Sequence, residues 1–136
     1  MDTIRIDDKK STLMVAHRGL SGIERENTCS AFVAAGNRSY FGIECDVHRT
    51  ADGRYVIIHD DNTERVAMDR LEVESSTYET LRSLRLTDKN GERGRIDLRI
   101  PSLEEYISRP RHRRHSITRR YCSSGDHQPA ETECSH

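Results

Sequence analysis

Hydrophobic and polar positions alternate in the stretch that follows Phe41, and this alternation predicts a β-strand. Three apolar side chains take turns with three polar ones: Ile43, Cys45 and Val47 with Glu44, Asp46 and His48. Because successive side chains of a strand point to opposite faces, Glu44 and Asp46 share one face. Their Cα atoms then lie about 6.6 Å apart, twice the rise per residue. Two carboxylates at that spacing can both bind one hard cation.

A second strand follows after a turn. Asp52-Gly53 is a turn signal, and the apolar run Tyr55–Ile58 carries His59 and Asp60 at its end. A pair of acids followed by a histidine at a strand end is the arrangement of a metal-assisted hydrolase. We expect Asp60 to support this site or to form a turn, and we leave His48 out of the site as a loop residue.

The segment before these strands predicts another strand that ends in functional groups. Leu13–Ala16 is a continuous apolar run, typical of a strand buried on both faces, and His17, Arg18 and Gly19 follow it. Gly19 permits a backbone turn that other residues disfavour. Because α/β proteins collect functional groups at the carboxyl ends of strands, His17 and Arg18 are candidate site residues.

A short helix connects the first strand to the second. Alanine and phenylalanine side chains over residues 31–35 predict this helix, which Asn27 or Thr28 caps and Gly36 ends. The order strand, helix, strand over residues 12–47 is a βαβ unit. We therefore expect a parallel strand pair with a right-handed crossover.

The second half of the chain predicts two more helices and then no regular structure. A short amphipathic helix is expected over residues 77–84, a charged loop over 87–97, and a further helix after Pro101-Ser102. Past Ser108 the apolar periodicity vanishes, and Arg, His, Ser and Pro dominate. We therefore divide the chain into residues 1–108 and a disordered basic tail, 109–136.

Composition narrows the classes of function. The chain has 136 residues, one domain at most; residues 1–108 carry 16 basic and 20 acidic side chains, and residues 109–136 carry 6 and 3. An acidic body argues against nucleic acid as the main partner. No apolar run approaches the roughly 18 residues of a membrane span, and the first residues do not resemble a signal peptide. Four cysteines without paired spacing indicate reduced thiols, so we expect a cytoplasmic protein.

Each candidate residue also has a purely structural interpretation. Glu44 and Asp46 can form a solvent-facing strand edge, since charged residues are mostly exposed. His17 and His59 can make structural hydrogen bonds. Arg18 can be a surface residue paired with a nearby glutamate, which contributes only about 0–1 kcal/mol.

Several short motifs follow one another in a fixed order. They are Ala16-His17-Arg18-Gly19, Glu26-Asn27-Thr28 with Ala31-Phe32, Gly42–Val47, Thr50–Gly53, Ile58-His59-Asp60 and Ile100–Glu105. Together they resemble the glycerophosphodiester phosphodiesterase family over about residues 12–107.

The resemblance implies an α/β fold, the (β/α)8 TIM barrel, with its site on the carboxyl face. It implies His17 and His59 as the acid/base pair, Arg18 as the phosphate-binding residue, and Glu44 and Asp46 as ligands of Mg²⁺ or Ca²⁺. The expected substrate is a small-molecule glycerophosphodiester, cleaved to glycerol 3-phosphate and an alcohol. The nucleophile, the alcohol headgroup and the oligomeric state stay open.

The chain departs from the family's pattern near its end. The family takes a third metal carboxylate and a nearby lysine from the strand after the Pro-Ser-Leu-Glu-Glu helix, whereas residues 117–120 here read Ile-Thr-Arg-Arg. A complete barrel takes about 250 residues, about 200 at the short end. We therefore expect the N-terminal portion of an incomplete barrel and hypothesise a shifted reading frame near Ser108. Two alternatives stay open: an inactive truncated fragment, and a binding module that uses its basic tail.

Overall fold

The computed structural model describes residue 8, residues 10–108 and the backbone of residues 114–119. These residues form four strands and four helices: β1 (Val15–His17), α1 (Cys29–Gly36), β2 (Gly42–Arg49), β3 (Tyr55–Ile57), α2 (Glu64–Ala67), α3 (Tyr78–Ser83), α4 (Leu103–Ser108) and β4 (Arg114–Arg119). The described chain is therefore an α/β structure with a partial sheet.

Strand β2 lies at the centre of this sheet. Strand β1 pairs with it in parallel, with His17 opposite Glu44. Strand β3 pairs with it in antiparallel, with Val47 opposite Ile57. The predicted βαβ unit and the predicted strand, turn and strand are both confirmed.

Helix α1 begins and ends close to the predicted positions. The hydroxyl of Thr28 accepts a hydrogen bond from the Ala31 backbone N–H at 3.2 Å, so Thr28 is the cap of the two that the sequence allowed. Gly36 is the last helical residue. The two later helices are also confirmed, since α3 is capped by Thr77, and the Ser102 hydroxyl accepts a bond from Glu105 N–H in α4.

Two apolar clusters hold the sheet and helices together. In the first, the rings of Phe32 and Tyr106 meet edge to face with centroids 4.7 Å apart, which packs α1 against α4. The Tyr106 hydroxyl also donates to the backbone carbonyl of Ile43. The second cluster joins β3 to the helices that follow it, around Val56 and Leu81. Together the clusters fix the strands whose ends carry the candidate residues.

The prediction that β1 is buried on both faces is wrong. Ala16 is only 3% exposed, but Leu13 and Val15 are 61% and 45% exposed. Side chains alternate along the strand, and only the face that carries Ala16 contacts the first apolar cluster. The apolar run therefore indicated a strand correctly but not its burial.

The prediction of a disordered tail is wrong for Arg114–Arg119, which form β4. This strand lies parallel to β2, with Glu44 opposite Ser116 and Asp46 opposite Thr118. Backbone pairing with β2 defines β4 although its sequence shows no apolar alternation. The rest of the tail lies outside the described residues.

Two further expectations concern thiols and membranes. Cys29 and Cys45 form no disulfide bond, as expected, and Cys122 and Cys134 lie outside the described residues. Within the described part of the chain, no helix combines the length and apolar character needed to cross a bilayer.

Candidate active site

The first histidine and the first acid meet where β1 and β2 run side by side. The parallel register places His17 opposite Glu44, and His17 Nε2 lies 3.9 Å from Glu44 Oε2. The side chain of His17 is 68% exposed, whereas that of Glu44 is 15% exposed. The pair therefore combines an open imidazole with a largely covered carboxylate.

In the turn after β1, a backbone N–H group forms a hydrogen bond with Glu44. Arg18 and Gly19 both have positive φ, 57° and 78°, and Arg18 N–H donates to Glu44 Oε2 at 3.0 Å. A Cβ added to Gly19 would lie 2.7 Å from the backbone carbon of Ala31. Glycine is thus required both by the backbone conformation and by the close approach of α1.

The second acid is buried between an arginine and an asparagine. Asp46 has a side chain only 2% exposed, and its Oδ2 lies 3.3 Å from Arg18 Nε. Asn27 Nδ2 donates to the same oxygen at 3.0 Å. The interpretation of Glu44 and Asp46 as a solvent-facing edge is therefore wrong.

Arg18 is bound by acids but keeps unused donor capacity. Its Nη1 donates to Glu26 Oε1 at 3.2 Å, and its side chain is 19% exposed. Its Nε is buried and has no hydrogen-bond partner among the described atoms, because the 3.3 Å contact with Asp46 lacks hydrogen-bond geometry. A guanidinium in this state can still donate to a bound anion. The expected pairing of Arg18 with a nearby glutamate is confirmed for Glu26, but its interpretation as a surface residue is wrong, since its side chain is largely covered.

The second histidine is held by its neighbour in the chain. His59 Nδ1 lies 2.6 Å from Asp60 Oδ1, and the His59 side chain is 23% exposed. Because a carboxylate only accepts, Nδ1 carries the shared proton and Nε2 is left to exchange a proton with a ligand. Asp60 therefore contacts His59 directly, and its support of an active site stays a prediction.

Asp60 is fixed in turn by an arginine that the sequence did not single out. Arg65 Nε donates to Asp60 Oδ2 at 2.7 Å, and this bond is the main reason that the pKa of Asp60 is lowered to about 2. Arg65 also donates to Glu26, with Nη2 at 2.6 Å from Oε1. The pKa of Glu26 is lowered, because burial, which raises it, is outweighed by its bonds to Arg65 and Arg18.

These contacts form a continuous chain of charges that we call the rim network. Its members are Arg18, Glu26, Asp46, Asp60 and Arg65. The rim network connects Asp60, which contacts His59, to Asp46 on β2. The structure therefore brings all five predicted site residues into one contiguous polar region beside β2.

Four residues of this region were missed by sequence reasoning or assigned differently. Glu26 and Arg65 are 39 positions apart, and no local pattern indicates that they meet. Asn27 was a candidate cap, but its side chain binds Asp46 instead. His48 is not a loop residue, since it lies within β2 and is fully buried.

The two carboxylates of β2 are the right type of ligand for a hard divalent cation, but they are few. Glu44 and Asp46 project from the same face, and carboxylate oxygens are the donors that Mg²⁺ and Ca²⁺ prefer. Among the described residues, no group of three or more His, Cys, Asp or Glu side chains is arranged to hold a metal. The sequence of β4, which runs beside β2, contains no carboxylate. Two protein ligands completed by water are compatible with Mg²⁺, which commonly keeps several waters.

Comparison with known proteins shows which family the chain belongs to. The model of the glycerophosphoryl diester phosphodiesterase family matches residues 17–131. The chain belongs to the glycerophosphoryl diester phosphodiesterase family. The match continues past Ser108 and includes β4, and the hypothesis of a shifted reading frame stays a prediction.

Curated relatives of this family are similar over the same part of the chain. A glycerophosphodiester phosphodiesterase of Caldanaerobacter subterraneus is 40% identical over 94 residues, which cover 69% of this chain and 38% of that protein. Glycerophosphodiester phosphodiesterase 1 of Mus musculus is 33% identical over 95 residues, 69% of this chain and 29% of that protein. The chain thus spans well under half the length of these relatives.

Solved structures of family members share the fold of the described residues. A phosphodiesterase of Oleispira antarctica in complex with the product sn-glycerol-3-phosphate superposes with a TM-score of 0.74 and 26% identity, covering 82% of this chain and 45% of that one. A glycerophosphodiester phosphodiesterase of Agrobacterium tumefaciens gives 0.69 and 27%, covering 82% and 48%. The partial α/β sheet therefore corresponds to part of these larger structures.

Proposed function

We propose that this chain carries the acid/base and phosphate-binding half of a metal-dependent glycerophosphodiester phosphodiesterase. The observation that supports the proposal is that His17 lies 3.9 Å from Glu44, while His59 is linked through Asp60 and the rim network to Asp46. The family match supports the class of reaction, and the product bound to the Oleispira antarctica relative supports the class of substrate. The expected products are glycerol 3-phosphate and an alcohol.

Arg18 is the residue proposed to bind the phosphodiester. A phosphodiester anion repels an attacking oxygen, so its non-bridging oxygens must be neutralised before bond cleavage. The buried Nε of Arg18 lacks a hydrogen-bond partner among the described atoms and lies 3.3 Å from Asp46 Oδ2, while the backbone N–H of Arg18 donates to Glu44. A phosphate oxygen at that position would satisfy the donor.

His17 and His59 are proposed as the acid/base pair. One imidazole takes the proton of the attacking hydroxyl or water, and the other protonates the leaving alcohol. Asp60 holds His59 in one tautomer, which favours a defined direction of proton transfer. His17 is 68% exposed, so it can reach a substrate that approaches from solvent.

Glu44 and Asp46 are the residues proposed to hold Mg²⁺ or Ca²⁺. When bound, such an ion supplies positive charge for the non-bridging phosphate oxygens. Glu44 Oε2 is kept in place by the N–H of Arg18, and Asp46 Oδ2 by Asn27. These bonds fix one oxygen of each carboxylate, and fixed ligand orientation favours metal binding.

The fold proposed for the whole is an incomplete (β/α)8 barrel. Parallel β1, β2 and β4 fit consecutive barrel positions, and the solved relatives are about twice as long as the part they share with this chain. An inactive fragment is the second candidate function, because β4 carries no acid that could act as a third ligand.

One assay separates these two candidates. Glycerophosphocholine is incubated with the purified chain in Mg²⁺, in Ca²⁺ and in EDTA, and glycerol 3-phosphate is followed by ³¹P NMR. An active phosphodiesterase releases product only with a cation and loses this release in Glu44→Gln and Asp46→Asn. An inactive fragment releases none under any condition.

A further inference from the structure

We propose that His48 is a positioning residue for His59, an inference that rests on the acid/base role proposed for His59. His48 lies on β2 and is fully buried. Its Nε2 lies 3.2 Å from the backbone carbonyl oxygen of His59. Since a carbonyl oxygen only accepts, Nε2 must be the donor of this bond.

The bond acts at the place where regular pairing ends. Strand β3 ends at Ile57, and Ile58 N–H still donates to the carbonyl of Asp46 at 3.1 Å. The backbone carbonyl of His59 also accepts a hydrogen bond from β2, but its donor is the side chain of His48. The imidazole of His48 thereby extends the attachment of this segment to β2 by one residue.

His59 is consequently fixed at two points. His48 holds its backbone, and Asp60 holds its ring through Nδ1 at 2.6 Å. A ring that transfers protons must keep its orientation through the reaction, and small displacements reduce rate strongly. The two attachments together leave His59 little freedom apart from its Nε2.

The other nitrogen of His48 argues against a role in packing alone. Nδ1 is buried and has no hydrogen-bond partner among the described atoms; the nearest acid is Glu74, 3.7 Å away. An apolar side chain would fill the same space without burying such a nitrogen. The bond to His59 is therefore the polar contact that gives His48 its specific role.

Glutamine and asparagine at position 48 form a matched pair for testing this. The amide nitrogen of Gln can reach the place of Nε2, whereas that of Asn corresponds to Nδ1 and falls short. Tyr106→Phe serves as the structural control, since it removes another buried bond to a backbone carbonyl, that of Ile43. Stability, measured by urea unfolding, should decrease in both His48→Asn and Tyr106→Phe.

The decisive measurement is the NMR signal of the His59 Nδ1 proton, which requires no turnover. We expect it to be observed in wild type, in His48→Gln and in Tyr106→Phe, and to be lost by exchange in His48→Asn. The wild-type ring of His48 should show the proton on Nε2. Retention of the His59 signal in folded His48→Asn, or an Nε2 of His48 that carries no proton, would overturn the proposal.

Turnover gives a second readout where the chain is active. His48→Asn should lower kcat by about 10-fold to 100-fold with little change in KM, and His48→Gln should restore most of it. Equal losses in His48→Asn and Tyr106→Phe would overturn the positioning role. An inactive wild type contradicts the proposed function and leaves the NMR result to decide on His48.

Discussion

The two histidine-bearing strand ends differ in how firmly they are built. The His17 end is open: the ring is 68% exposed and its nearest acid, Glu44, lies 3.9 Å away. The His59 end is closed: the ring is 23% exposed, and Asp60 binds it at 2.6 Å. The difference indicates that the fold restrains the ring of His59 more firmly than that of His17, and we infer that the substrate and cation of the proposed reaction would orient His17.

The largest expected effect comes from removing either histidine. His17→Ala and His59→Ala should each lower kcat on glycerophosphocholine by about 10²-fold to 10⁴-fold, the range of general acid–base catalysis. Only His59→Ala should also lower the free energy of unfolding, because His17 makes few contacts. Initial rates and urea unfolding measure the two quantities. Equal destabilisation by both substitutions would contradict the comparison.

Removal of the buried acid should affect stability next most strongly. Asp46→Ala leaves the guanidinium of Arg18 and the amide of Asn27 without their shared partner in a buried place. Breaking a buried ion pair in this way costs about 3–5 kcal/mol. Urea unfolding at neutral pH measures the loss. Exposed Asp61→Ala is the control, and a loss no larger than in this control would show that Asp46 is not buried as described.

A smaller loss of stability is expected from substitution of Arg65, which links Asp60 to Glu26. Arg65→Gln removes the bonds to Asp60 and Glu26, and so loosens the ring of His59 while leaving His17 unchanged. Because Arg65 is 45% exposed, we expect about 1 kcal/mol of stability to be lost. The NMR signal of the His59 Nδ1 proton should broaden. Arg70→Gln, which removes exposed ion pairs outside the rim network, should not affect this signal.

The smallest effect is a dependence on pH. The pKa of Asp60 is lowered from 3.8 to about 2, mainly by Arg65, so its ionised form is favoured in the folded state. Its contribution to stability is full above the unfolded pKa and is lost as pH falls through about 2. The stability difference between wild type and Asp60→Asn should therefore narrow as the pH falls from about 4 to about 2. A constant difference across these unfolding curves would contradict the assignment.

Local signals in the sequence predicted most of the helices, strands and turns that surround the candidate site. The helix cap at Thr28, the turn at Asp52-Gly53 and the alternation in β2 each depend on neighbours within a few residues. The resemblance to the family then identified His17, Arg18, Glu44, Asp46 and His59, which the structure brings into one polar region. Their roles stay predictions.

The features that the sequence did not predict depend on contacts between distant parts of the chain. Arg65 reaches Glu26 across 39 positions, and β4 is defined by pairing with β2 rather than by its own pattern. His48 continues the alternation of β2, yet its burial follows from what covers the strand. Tertiary packing of this kind leaves no periodic mark in the sequence.

Convergence of the two imidazoles on the acids of β2 can be tested directly with a paramagnetic ion. Mn²⁺, which prefers the same oxygen ligands as Mg²⁺, is titrated into the purified chain while the ring signals of His17 and His59 are followed by NMR. We expect both signals to broaden together, and the broadening to disappear in a Glu44→Gln, Asp46→Asn double variant. Broadening of only one histidine, or broadening that persists in the double variant, would contradict a shared site.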